Sequence, residues 1–220
     1  MVASWIAFIG FGLGILGTNN GLLEPLQDWL RASVVGDPDS ANTIASMLRL
    51  NPWIVIIVAV VIGAVWLWRG RPAAYQGGWS WQTTGMALGV IGIVAWPLSS
   101  MTGRMYGLSV TEPAYNLMRL FTLGHIDAIG WALFMWLGIP IGSYIAARRA
   151  GEFKWRAPGP TRLLQALGGG MVMGIGAAIA GGCTVGHSLT GVSILSLTSI
   201  VASLSILIGV WSASLALFRT

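Results

Sequence analysis

Hydrophobic residues in this chain fall in long runs separated by short polar stretches, a pattern that predicts helices crossing a lipid bilayer. About 20 apolar residues of helix cross the ~30 Å hydrocarbon core, and a helix pairs its backbone groups within one segment. Six runs fit: Val2 to Thr18, Pro52 to Trp68, Trp79 to Ser99, Ile126 to Ala147, Leu163 to Gly182 and Val192 to Phe218. The second is the clearest, with Pro52 at a helix start followed by "WIVIIVAVVIGAVWLW". The first and fifth are dense in glycine. The amino-terminal run lacks the basic flank and small-residue cleavage site of a secretory signal, so it reads as a span that stays.

The polar stretches add two elements. Residues 19–51 carry four of the seven acids and an amphipathic piece around "GLLEPLQDWL", expected to lie along the interface. Between the third and fourth spans, "MTGRMYGLSVTEPAYNLMRLFTLGH" is too polar to cross, and its spaced Met, Tyr, Leu and Phe suit a short helix packed in or on the bilayer, or a re-entrant segment. The expected architecture is therefore an all-α integral membrane protein, a single transmembrane domain over residues 1–220 with about six spans and glycine-broken or re-entrant segments.

Composition agrees. Only 9% of residues are charged, against about 25% in soluble domains. The net charge of +5 could suggest nucleic acid in a soluble protein, but here the cations sit in short loops, where they orient a membrane protein. With alternating spans, Arg69, Arg71, Arg148, Arg149, Lys154, Arg156, Arg162 and Arg219 fall on one face, and Arg31, Arg49, Arg104 and Arg119 on the other. That asymmetry predicts cytoplasmic termini. Tryptophans at span ends, including Trp53, Trp66, Trp68, Trp79 and Trp81, suit the interfacial aromatic belt.

One cysteine cannot form a disulfide within the chain, so dithiol chemistry needs a partner's thiol. No metal-ligand or cofactor motif is legible. From Gly168 to Gly191 the chain reads "GGGMVMGIGAAIAGGCTVGHSLTG", with nine glycines around Cys183. Gly170 and Gly174 lie on a small-xxx-small face that lets another helix approach closely. Gly181 and Gly182 can end a helix. If the triple glycine marks the membrane entry, Met171 to Ala180 forms only ~15 Å of helix and Cys183 falls near the midplane. Non-helical backbone at that depth is tolerated only where protein buries it or a polar cavity runs beside it. Beyond the break, Thr184, Ser188 and Thr190 supply hydroxyls, and amides at the start of the next helical segment favour an anion. The same residues also fit an inert arrangement: a small buried thiol, a histidine satisfied by a carbonyl, and glycines serving close packing. A faint echo, "GRMYG" at 103–107 and "GCTVG" at 182–186, follows the paired interrupted segments of secondary transporters. Asp127 at the start of the fourth span reads as a helix-start acid beside an interfacial His125.

"GGCTVGHSLTG", with its approach "GGGMVMGIGAAIA", resembles the signature of the YeeE/YedE sulfur-transport family, and the span order over 79–220 is similar to that family's second half. The resemblance implies uptake of thiosulfate or a related small sulfur anion across a bacterial inner membrane. Cys183 is then a transient S–H contact in the path, with Gly182, Thr184, Gly186 and His187 shaping the site and Ser188 offering a further hydroxyl. A neutral S–H is a weak donor, and weak contacts let a conducted ion leave. The resemblance implies a further half with its own cysteines that has no counterpart here, so the chain is either a half-size member that pairs with a second half-subunit or as a homodimer, or a truncated or cysteine-poor variant, and the basic loop 148–162 could receive a cytoplasmic sulfur carrier. Two other readings stay open: a sulfurtransferase in which His187 activates Cys183 to carry a persulfide, and a noncatalytic subunit whose glycine face docks a partner.

Overall fold

The computed structural model describes residues 2–32, 43–70, 79–154 and 157–218, and every long element among them is helical. Arg71, Arg156 and Arg219 of the charge asymmetry, and residues 33–42 of the polar connection, lie outside the described residues. The six expected spans correspond to α1 (Val2–Asn19), α4 (Pro52–Arg69), α5 (Trp81–Ser100), α7 (Trp131–Arg149), α8 (Pro160–Ala180) and α9 (Leu197–Phe218). α1, α5, α8 and α9 are long and apolar enough to cross a bilayer, and Pro52–Trp66 of α4 is a shorter apolar helix. Three shorter helices lie between: α2 (Glu24–Ala32), α3 (Ile44–Met47) and α6 (Thr111–Leu123). At 13 residues, α6 is ~20 Å long, too short to span. The amphipathic "GLLEPLQDWL" gives α2, as the pattern indicated.

The chain divides into two compact units, residues 1–36 with 108–186, and residues 37–107 with 187–220. In the first, α1 and α8 pack at backbone contact. A Cβ on Gly10 or Gly14 would strike the Leu167 or Met171 carbonyl, and one on Gly170 or Gly174 would strike that of Ala7 or Phe11. Residue numbers rise together along both helices, so α1 and α8 run parallel. First and fifth spans of an alternating path must do so. Glycine here trades side-chain volume for helix proximity, the means by which membrane helices associate when apolar burial gains nothing over lipid.

The middle glycine of "GFGLG" faces elsewhere: Gly12 lies against Ala114 and Met118 of α6. The glycine density of α1 therefore reflects two neighbours at once. Phe11, Ile15, Ala114, Ala177 and Ala178 form the core of this unit. Trp136 of α7 stacks on Phe8 with ring centroids 4.1 Å apart and meets Trp5 edge-on at 5.6 Å. Buried Gln27 of α2 donates to Asn19 Oδ1 and to the Ala178 carbonyl, tying α2 to the ends of both long helices.

In the second unit, Asn51 caps α4 by accepting from the Trp53 amide, and Ser80 caps α5 by accepting from that of Thr83. Trp66 and Trp81 meet edge-on at 5.7 Å. Apolar residues of α4, α5 and α9 are widely exposed, among them Ile62, Ile93 and Val210, which a soluble protein would not tolerate over so many contiguous positions. Leu195 adopts a left-handed conformation (φ 54°) before α9, and its carbonyl accepts from the Ile44 amide at 3.1 Å.

Candidate functional site

α8 ends where the glycine pair stands. Gly181 takes a left-handed conformation (φ 78°), its amide bonds the Ala178 carbonyl, and the Gly182 amide bonds that of Ala177 at 2.9 Å. This is the Schellman arrangement, and a side chain at Gly181 would oppose the required φ. Cys183 follows outside any helix, and the chain then enters a π-helix over Val185–Gly191. The break falls where the sequence placed it.

α8 has 21 residues, ~31 Å of helix, with Gly168 to Gly170 inside it, and Gly170 serves the contact with α1.

Cys183 is half-buried and packs against the core of Phe11, Ile15, Ala114, Ala177 and Ala178. Near its Sγ lie the Thr111 hydroxyl and the backbone amides of Val110, Val185 and Gly186. Thr111 Oγ1 is buried and has no hydrogen-bond partner of its own among the described residues. Val110 and Thr111 open α6, whose first turn also carries Glu112, with the Glu112 amide donating to Ser109 Oγ at 3.5 Å. The family signature pointed to Cys183; nothing in the sequence pointed to Thr111, which reaches the thiol only because α6 folds against α1.

The expected site residues divide between the units. Gly182 and Gly186 are buried beside Cys183 in sequence, and Thr184 is exposed. His187 and Ser188 belong to the second unit. There His187 is buried, with its Nδ1 3.2 Å from Ser199 Oγ, and Ser188 Oγ lies 2.9 Å from Ser203 Oγ, so the π-helix is pinned to α9. Ser199→Ala removes a hydroxyl bonded to a buried imidazole, at ~1 kcal/mol. Thermal unfolding in detergent is expected to shift down by about 2–4 °C.

The "GRMYG" stretch is also built rather than loose. Arg104 Nη1 donates to Ser99 Oγ at 3.0 Å and to the Tyr106 and Gly107 carbonyls at 2.8 Å, and a Cβ at Gly107 would crowd Trp96 Nε1 and Thr190 Oγ1. Gly107 thus meets the π-helix that follows the cysteine segment. A groove of about 300 Å³ between α1 and α7, lined by Trp5, Phe8, Trp136, Ile139 and Pro140 with Ser4 and Ser143, carries no charge and suits an apolar guest better than an anion. Among the described residues, no group of His, Cys, Asp and Glu is placed to hold a metal.

A family model described as sulphur transport matches residues 1–212. The chain belongs to the sulphur transport family. The match begins before the 79–220 stretch whose span order carried the resemblance, so α1 and α4 fall within the family pattern too. Two relatives are named "Thiosulfate transporter TsuA". That of Spirochaeta thermophila is 34% identical over 229 residues, covering all of this chain and 69% of that protein. That of Escherichia coli is 30% identical over 233 residues, covering 97% of this chain and 65% of that protein. The chain thus spans about two thirds of the length of these relatives.

Proposed function

We propose that this chain conducts thiosulfate, or a closely related small sulfur anion, across the bacterial inner membrane, with Cys183 as a transient S–H contact. The observation that carries the reading is the end of α8 at Gly181, which leaves half-buried Cys183 outside any helix next to the buried Thr111 hydroxyl. Neutral donors suit a conducted dianion: they replace water without the deep well that a fixed cation would make. The soft terminal sulfur of thiosulfate meets the thiol, while its oxygens meet the amides and the hydroxyl. Gly182, Thr184 and Gly186 shape the approach, and His187 and Ser188 hold the following π-helix on α9.

Both relatives are named for thiosulfate, which supports the substrate. The charge asymmetry supports cytoplasmic termini and, near 148–162, a basic surface for a soluble sulfur carrier.

Uptake of radiolabelled thiosulfate into proteoliposomes tests the reading, and liposomes holding the protein but taking up no more label than empty ones would reject it. Thr111→Val removes one donor worth ~1 kcal/mol and is expected to slow uptake about fivefold with the protein still folded. The Cys183 peptide should keep its mass after turnover. Stable added sulfur there would point to persulfide transfer instead.

A further inference from the structure

α6 carries Thr111, Tyr115 and Arg119 at intervals of four, hence on one face of the helix. Thr111 stands at the Cys183 thiol, and Tyr115 packs on the same core cluster with its hydroxyl donating to Asn20 Oδ1. Arg119, ~12 Å along the axis from Thr111, lies over the Tyr115 ring with 5.6 Å from Cζ to the centroid.

The chain then folds back over Arg119. Gly124 ends α6 in a left-handed conformation (φ 67°), and its amide and that of His125 both reach the Arg119 carbonyl. This return sets Asp127 Oδ2 and His125 Nδ1 each 3.2 Å from Arg119 Nη2. The guanidinium is largely sheltered, with 24% of its side chain exposed, whereas Asp127 is 64% exposed. Desolvation raises the Asp127 pKa, but the Arg119 guanidinium and the His125 hydrogen bond outweigh it and hold the carboxyl below its ordinary value.

We propose that Arg119 is an outer docking site for the same small dianion, from which the ion passes along the Tyr115–Thr111 face to Cys183, and that Asp127 is the carboxylate it displaces. The inference rests on the transport reading. Arg119 is held by aromatic stacking and by the turn, so its fork is pre-set for two oxygens of an oxyanion. Asp127 is largely exposed by comparison, and an exposed ion pair is worth at most ~1 kcal/mol. A dianion can therefore take its place while chloride, with one charge, competes poorly. The site reads charge and oxygens, so sulfate fits it as well as thiosulfate; the thiol further in reads the sulfur. On the proposed orientation Arg119 faces outward, where substrate arrives.

The full chain in detergent is titrated with thiosulfate by calorimetry, and uptake is measured in proteoliposomes with and without sulfate. Asp127→Asn is expected to tighten thiosulfate binding about tenfold, and Arg119→Gln to weaken it about tenfold or more, with Arg119→Lys between the two. Sulfate should raise the half-saturating thiosulfate concentration of the wild type and leave that of Arg119→Gln nearly unchanged. Unaltered binding in Arg119→Gln, or none of the expected gain in Asp127→Asn, overturns the proposal. A misfolded variant cannot imitate that gain. The two readings fail separately: a wild type that binds through Arg119 yet takes up nothing counts against transport, and normal uptake that ignores Arg119 counts against the outer site alone.

Discussion

Cys183→Ala is expected to abolish thiosulfate uptake while leaving the protein folded. The side chain is half-buried at the edge of the first unit's core, so truncating it removes one small contact there; the cost is at the low end of core truncations, about 1 kcal/mol. Its chemical effect is larger, because the methyl group cannot donate to a passing sulfur and leaves the Thr111 hydroxyl and the three amides around a site with no soft contact. Cys183→Ser separates weak contact from covalent transfer. A serine hydroxyl still donates, so a conduction path keeps a measurable fraction of its rate, whereas a persulfide carrier without sulfur is inactive. Uptake in proteoliposomes, with unfolding temperature as the control for structure, reads both variants. Wild-type uptake by the alanine variant would remove Cys183 from the mechanism.

Gly174→Ala is expected to be among the most destabilising methyl groups that could be added to this chain's described glycines, together with Gly170→Ala, whose Cβ would meet the Ala7 carbonyl as closely. The new Cβ would overlap the Phe11 carbonyl, which belongs to backbone and cannot rotate away. Either α1 and α8 separate or the protein fails to accumulate; overpacking of this kind costs ~1–3 kcal/mol and at times more. Gly176→Ala, two residues on in the same helix, is the matched control. Its Cβ meets nothing within 4 Å, and replacing helical glycine by alanine is neutral or gains about 0.5–1 kcal/mol. Thermal unfolding of the two variants in one detergent decides the matter. Equal midpoints would mean that α1 and α8 do not rely on this contact. Because α8 runs directly into the Cys183 turn, Gly174→Ala should also lose uptake.

Much of this was open to reading before any coordinates. The spans follow from hydrophobic runs because lipid admits no unpaired backbone, so their bounds agree with the helices to within a few residues except at the starts of α7 and α9. α7 begins after a 3-10 turn over Ile126–Ala128, since Gly124 and Gly130 break the apolar run that seemed to start at Ile126. α9 begins later than Val192 because the π-helix occupies Val185–Gly191. Its wider hydrogen-bond spacing leaves no mark in a sequence. π-Helical turns are rare and recur at functional sites, which suits the segment carrying the signature.

The sequence alone determined that this is a helical membrane protein resembling the sulfur-transport type, and it showed that the helix before Cys183 can end at a glycine pair and that Gly170 and Gly174 offer a face for close packing. Each follows from a local rule: hydropathy, positive φ, or lack of a Cβ. Only the tertiary structure decided what surrounds the thiol. Thr111 and Val110 are more than seventy residues from Cys183, and no local rule links them; they meet because Gly12 lets α6 lie on α1 while Gly10 and Gly14 bring α8 to the same helix. The turn that sets His125 and Asp127 over Arg119 is of the same kind, since a return of the chain fixes partners that spacing along it does not reveal.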